Sequence, residues 1–407
     1  MALEIAPFCG VRYDWTRVPL GSALCPPYDV IGEALARRLR AQPRNAIHIE
    51  LPEGGPGTRY ARAARTWRSW SRDSTLVTES EPCFYLVEQA FDLGGRTLRR
   101  KGLLAALGLM DRSARRVVPH ERTFAKPKED RLALLTALKA NTSPIFLLYP
   151  DPRGLIRAVL DRAVLRPPEA EGGAPDGSRV RAWRLREPTD LDTISRAFRA
   201  KTVLVADGHH RLEVAKEHWR RSGRRRDGSV LVYLCAEEDP GLVVLPTHRV
   251  VVEPSLVERV LAAAGPGGVL ARECRVRAVP APASLERALA RASSPFTFGL
   301  FAPGRGRRSV SALAVPSASS AAACRSGLCV EWLQRRLLDD ARPGDVLYTH
   351  GFEEALALAR QRRGAALLLG PMEVADIRRA VDRVGLLPQK STYFYPKIGS
   401  GVVFKPA

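Results

Sequence analysis

Asp207, Gly208, His209, His210 and Arg211 stand side by side in this chain. A carboxylate, two imidazoles and a guanidinium around one glycine can bind an anion, move a proton or orient a cation, and ionisable groups gather in this way at working sites. The flanks say how such a turn is held. Val203, Leu204 and Val205 form a short β-branched and apolar run that suits a strand covered on both faces. Asp207-Gly208 breaks the run, because glycine tolerates dihedrals that other residues avoid. Leu212, Ala215 and Trp219 then keep helical spacing, with Asp207 placed to cap the helix. A helix N-terminus offers free amides and a positive dipole end, so it attracts phosphate. Arg211 falls in the first turn, where a cation is disfavoured unless an anion is near.

Two other stretches carry similar chemistry. Pro119-His120-Glu121-Arg-Thr123, followed by Lys126 and Lys128, is too charged for a core and reads as a loop leading to a helix from about Glu129. The Glu121 carboxylate there suits a general base for a hydroxyl proton. Glu50, near the end of the alternating stretch Ala46–Leu51, is its rival, although that stretch reads as an ordinary strand. Lys390-Ser391-Thr392 places an ammonium beside two hydroxyls, a good anion cradle. Tyr393 and Tyr395 beyond it read as strand residues packed on a core. Lysine supplies only nine of the 64 basic residues. Against that arginine background Lys126, Lys128, Lys390 and Lys397 stand out as compact point charges suited to phosphate.

The elements that must position these groups come next. At 407 residues, 45% hydrophobic and 26% charged, the chain has room for two or three domains with real cores. The paired prolines of Leu24–Ile31 predict a rigid turn. Tyr60–Ser71 has helical spacing, and Cys83–Phe91 with Arg99–Met110 reads as a hairpin. Pro144–Tyr149, Val230–Cys235, Val243–Val252 and Ala365–Gly370 read as strands, and Cys329–Asp339 and Glu353–Arg362 as helices. Pro167–Ser178 reads as a loop or linker and Pro316–Ala323 as a surface loop. The N-terminus lacks the pattern of a signal peptide and no apolar run reaches the length of a membrane span, so a cytoplasmic protein is expected. Seven scattered cysteines without a CxxC pair fit reduced thiols. The net charge of +21 is spread along the chain, and the run Arg220–Arg226 reads as a solvated loop. No helix-turn-helix is evident, so any DNA binding is expected to be nonspecific and salt-sensitive.

Pro26-Pro-Tyr-Asp-Val-Ile31, Pro119-His-Glu-Arg-Thr123, Ala206-Asp-Gly-His-His-Arg211, Pro246-Thr-His-Arg249 and Pro388–Lys397 occur in one order along nearly the whole chain. Together they resemble the bacterial and archaeal domain-of-unknown-function family 1015. The Asp-Gly-His-His-Arg turn also resembles the ParB/sulfiredoxin-like superfamily, where that turn binds nucleotide phosphates. The nearest functional likeness is to SerK-type free serine kinases, which make O-phospho-L-serine from L-serine. This chain is much longer than those compact kinases, and the place of Glu121 relative to the Asp207 turn differs from theirs.

The resemblance implies an α+β fold: a ParB/sulfiredoxin-like mixed-sheet nucleotide-binding core with an accessory α/β domain. The expected parts are 1–165 (N-terminal core), 179–254 (the nucleotide-binding part), 255–325 (accessory) and 326–407 (a C-terminal segment returning to the site). It implies ATP or ADP as phosphate donor, with pyrophosphate also open, and Mg2+ as cofactor. Gly208, His209, His210 and Arg211, with Lys390, Ser391 and Thr392, would hold phosphates, and Asp207 would place magnesium or the serine ammonium. Glu121, Asp207, His209 and His210 would do the chemistry. Tyr28, Asp29, His120, Thr123, His248 and Arg249 would meet the substrate. The alternative is a nucleotide-responsive ParB-like DNA-binding or regulatory protein without catalysis. Partners expected are L-serine and nucleotide, with no specific nucleic acid and no membrane; the oligomeric state stays open.

Overall fold

A computed structural model describes the chain except residues 1, 56, 111, 112, 114, 122–124, 224–227, 293, 305–308 and 389, and the side chains of 125–127. The chain divides into two compact units. The first holds Met1–Pro119, Thr123–Val243 and Pro396–Ala407; the second holds His120–Arg122 and Val244–Tyr395. Residues 255–325, expected as an accessory part, share the second unit with residues 326–395.

The first unit is built on a nine-stranded sheet. Its order is Val117–Val118, Val203–Asp207, Ile145–Tyr149, Ser229–Ala236, Arg96–Gly108, Phe84–Leu93, Arg179–Leu185 and Ala170–Gly173, with Ile5–Ala6 also pairing Arg96–Gly108. The sheet is mixed, and the fold is α+β as expected. Val203–Asp207 runs parallel to Val117–Val118 and antiparallel to Ile145–Tyr149, whereas Ser229–Ala236 runs parallel to Ile145–Tyr149. Side chains alternate across the pleat. Leu103, Leu107, Leu147, Val203, Val205, Val232 and Leu234 thus face one core, sealed by Ile156 and Leu160, Ile194 and Phe198, and Leu212 and Ala215 from three helices. The other face carries Arg100 and Tyr233, and Gly102 leaves the space that the Tyr233 ring fills: a Cβ there would lie 2.1 Å from the ring.

The second unit has a six-stranded antiparallel sheet in the order Cys274–Ala278, Val310–Pro316, Phe298–Ala302, Ala365–Leu369, His248–Val251, Val346–Thr349. Alternation again divides its residues between two cores. Val251, Phe298, Leu300 and Leu367 pack with Val260, Trp332 and Leu333, while Val250, Phe301 and Leu368 pack with Leu285, Leu289 and Leu356.

Three local expectations are corrected. Ala46–Leu51 is not a strand; Ile47–Glu50 forms a short helix with Ile47, Ile49 and Glu50 all buried. When every side is covered, alternation no longer reports an exposed face. Pro167–Ser178 is not a free linker, because Ala170–Gly173 pairs with Arg179–Ala182 across a tight turn. Pro316–Ala323 contains the helix Ala318–Ala322, capped by the Ser317 hydroxyl, which accepts from the Ser320 amide. Arg224–Arg226 lie outside the described residues. All seven cysteines are free. No helix among the described residues is long and apolar enough to cross a membrane.

Candidate functional site

The first unit brings the Asp207 turn to the end of its strand. The register shifts between Val205 and Asp207, so the ladder is irregular there and Asp207 pairs opposite Phe146. Gly208 then adopts φ +89, in the left-handed region, and starts the helix His209–Arg221. A Cβ at Gly208 would also approach Arg211 Nε to 3.0 Å. The helix has no side-chain N-cap, so the expected capping by Asp207 does not occur. Its carboxylate is held elsewhere. Lys397 Nζ donates to Oδ1 at 2.5 Å and Arg211 Nη2 donates to Oδ2 at 2.7 Å. The anion that offsets Arg211 against the helix dipole is therefore Asp207, four residues earlier. Arg211 also donates to the Pro144 carbonyl. Burial opposes ionisation of Asp207, but Lys397 and then Arg211 outweigh it and hold the carboxyl well below the usual range.

His209 adds positive potential at Asp207 when protonated. His210 is half-buried; burial, and then the neighbouring Lys128, depress its pKa. Lys128 is paired with Glu213. The side chain of Lys126 and the whole of Thr123 lie outside the described residues.

A second carboxylate lies in the same unit. Glu50 is fully buried and accepts from the hydroxyls of Thr142 and Ser143 and from Arg131 Nη1 at 3.5 Å. Ser143 precedes Pro144, whose carbonyl takes Arg211, so one short backbone stretch ties Glu50 to the Asp207 turn. Arg131, Thr142, Ser143 and Arg211 line a common cleft. Tyr28 stands beside it, with the Arg131 guanidinium 4.4 Å from its ring centre, and burial raises its phenol pKa. Asp29 follows in the same short turn and is exposed.

The remaining predicted residues fall in the second unit and are engaged there. Glu121 Oε1 accepts the Ser391 amide at 3.1 Å and the Thr392 amide at 3.4 Å. His120 is fully buried, with Nε2 2.7 Å from Thr392 Oγ1. Ser391 Oγ donates to the Pro388 carbonyl. Arg249 donates to the carbonyls of Thr247 and Lys390. Lys390 itself sits at φ +55 with its side chain outward. His248 is buried and its Nδ1 accepts the Leu369 amide at 3.1 Å. Of the expected hydroxyl cradle, Ser391 is thus bound to backbone and Thr392 to the side chains of His120 and Glu121.

Sequence reasoning marked Lys397 only as a point charge suited to phosphate, without a partner, and placed Arg131, Thr142 and Ser143 in no site. Only Lys397 left a signal, as one of nine lysines. The donors do not fit a magnesium held by Asp207. Both its oxygens are taken by cations, and no group of three or more His, Cys, Asp or Glu that could hold a metal is found among the described residues.

A family model described as "Protein of unknown function (DUF1015)" matches residues 5–321. No curated protein matches the chain. Solved structures similar to it include a conserved hypothetical protein from Pyrococcus furiosus, at 14% identity and TM-score 0.38 over 75% of this chain and 95% of that one. A mutant free serine kinase in complex with ADP is 13% identical, with TM-score 0.39 over 74% of this chain and 92% of that one. SbnI with a C-terminal truncation, from Staphylococcus aureus, is 9% identical, with TM-score 0.37 over 74% and 87%.

Proposed function

We propose a chemistry for this chain, which belongs to the DUF1015 family of proteins of unknown function: it transfers a phosphoryl group from a nucleotide to L-serine, giving O-phospho-L-serine. The observation that most supports this reading is the charge balance at Asp207. Two full cations, Lys397 and Arg211, meet one carboxylate beside the uncapped N-terminus of a 13-residue helix. Positive charge is left over, and the helix amides and dipole add to it. A phosphate group satisfies that surplus.

Phosphoryl transfer asks the protein for alignment, neutralisation of charge and a proton acceptor rather than for covalent help. In this reading the amides of Gly208, His209 and His210 align the donor phosphates. Lys397 and Arg211 neutralise the charge that would repel the attacking oxygen. The protein's own donors carry this work.

The proton acceptor is placed at Glu50 in preference to Glu121. Glu50 shares the unit, the cleft residues and the Ser143–Pro144 stretch with Arg211, and it already accepts two hydroxyl donors, the type of bond a serine hydroxyl would make. Glu121 accepts two successive backbone amides, the work of a carboxylate that fixes a turn.

Phosphorus NMR of the purified protein with L-serine and ATP, ADP or pyrophosphate tests the activity. Phosphoserine is the expected product; its absence with all three donors overturns the reading. Glu50→Gln is expected to lower turnover by about 10²–10⁴-fold, with Glu121→Gln within a few-fold of wild type. The opposite ranking returns the base to Glu121.

A further inference from the structure

Lys397 reaches Asp207 from a stretch, Pro396–Gly399, that belongs to no helix or strand. A flexible ammonium on such a stretch loses much of its effect unless its backbone is fixed. Two residues of the sheet hold that backbone. Gln89 and Arg100 are direct cross-strand partners. Arg100 Nη2 donates at 2.5 Å to Gln89 Oε1 and at 2.5 Å to the Pro396 carbonyl. Gln89 Nε2 donates at 3.3 Å to the Lys397 carbonyl. Arg100 is fully buried, and its guanidinium lies 4.9 Å from the ring centre of Phe146, the strand partner of Asp207.

A fully buried arginine is expensive, and apolar residues of similar volume are often as stable in such a place. Here one of its hydrogen bonds goes to the Pro396 carbonyl and another to Gln89, which itself donates to the Lys397 carbonyl. We infer that Gln89 and Arg100 are positioning residues that fix the Pro396–Lys397 backbone and so aim the Lys397 ammonium at Asp207. The functional weight of this pair rests on the reading of the Asp207 clamp as a phosphate site.

The test uses the full chain with isotope-labelled lysine side chains, the Lys397 signal being assigned by its loss in Lys397→Arg. Gln89→Met removes the bond to Lys397 and the acceptor that Gln89 offers Arg100, while leaving Arg100 its bond to Pro396, and Arg100→Lys keeps the charge. In Gln89→Met the Lys397 side-chain signal is expected to move toward those of exposed lysines while near-ultraviolet circular dichroism is unchanged. ADP binding by calorimetry is expected to weaken about 5–20-fold, and Gln89→Met on top of Lys397→Met to add nothing. Arg100→Lys should fall between wild type and Gln89→Met in the Lys397 signal. An unmoved Lys397 signal in Gln89→Met, or additive losses in the double variant, overturns the inference. If wild type binds no ADP, the nucleotide reading fails, and the lysine signal still decides the positioning role.

Discussion

The Asp207 turn of the first unit and the Lys390 turn of the second are made from the same kinds of residue and use them differently. At Asp207 two cations converge on one carboxylate. At Lys390 the charged and polar groups are directed at backbone: Arg249 at the carbonyls of Thr247 and Lys390, Glu121 at the amides of Ser391 and Thr392, Ser391 at the carbonyl of Pro388. Their combined effect is to hold Lys390 in a left-handed conformation that non-glycine residues seldom adopt. Residue type alone does not separate the two turns. The partner does: at Asp207 charge is matched to charge, whereas at Lys390 it is largely matched to peptide groups.

The sharpest way to break this contrast is to remove one carboxylate. Asp207→Asn leaves Lys397 and Arg211 facing each other, so chemical denaturation should show a loss of about 3–5 kcal/mol. Arg249→Met should cost less, about 1–3 kcal/mol, because it leaves unpaired carbonyls and no unpaired charge. Equal losses would erase the distinction between the two turns.

His248 sharpens the contrast through pH. Burial, then His350 and Arg249, push its pKa from 6.5 to about 4, and its Nδ1 must stay unprotonated to accept the Leu369 amide. The unfolded chain takes up this proton first. The contribution is therefore fully present above pH 6.5 and is lost as the pH falls toward 4, by about 3 kcal/mol over the window. Denaturant titrations of wild type between pH 7 and 4 should show that slope, and His248→Leu should flatten it.

Gly208→Ala tests the backbone of the first turn. The residue sits at φ +89 with Arg211 Nε 3.0 Å from any added Cβ, so a loss of about 1–2 kcal/mol in thermal unfolding is expected. Smallest should be Glu121→Gln, which keeps an acceptor for the two amides and should change stability by less than about 1 kcal/mol.

Much of the first unit was legible because its signals are local. The run Val203–Val205, the Asp207-Gly208 break and the helical spacing after it predict the strand, turn and helix that are present. The hairpin Phe84–Leu93 with Arg96–Gly108 is likewise encoded in adjacent residues. What could not be read was pairing over distance. Nothing near Asp207 announces that its first cation comes from Lys397, or that Arg100 and Gln89 hold the segment that brings it. Glu50 was obscured for another reason: its neighbours alternate like a strand, and only the fold reveals a buried helical turn whose partners, Thr142 and Ser143, arrive from elsewhere. In the second unit the polar motif residues were visible as unusual, but a sequence cannot distinguish a donor aimed at a ligand from one aimed at a carbonyl.

The Lys397–Asp207 bond joins residues 190 apart in the chain, and the Gln89–Lys397 bond joins residues 308 apart. Contacts of such separation form late, after the loops between them have closed. On a ribosome the order is stricter, since the Asp207 turn leaves the tunnel long before residue 397 is translated. Throughout that interval Arg211 is available to Asp207 and Lys397 is not. A truncated or stalled chain can therefore carry the whole sheet and the whole turn and still lack the clamp, so that completion of the site reports completion of the chain as far as residue 397.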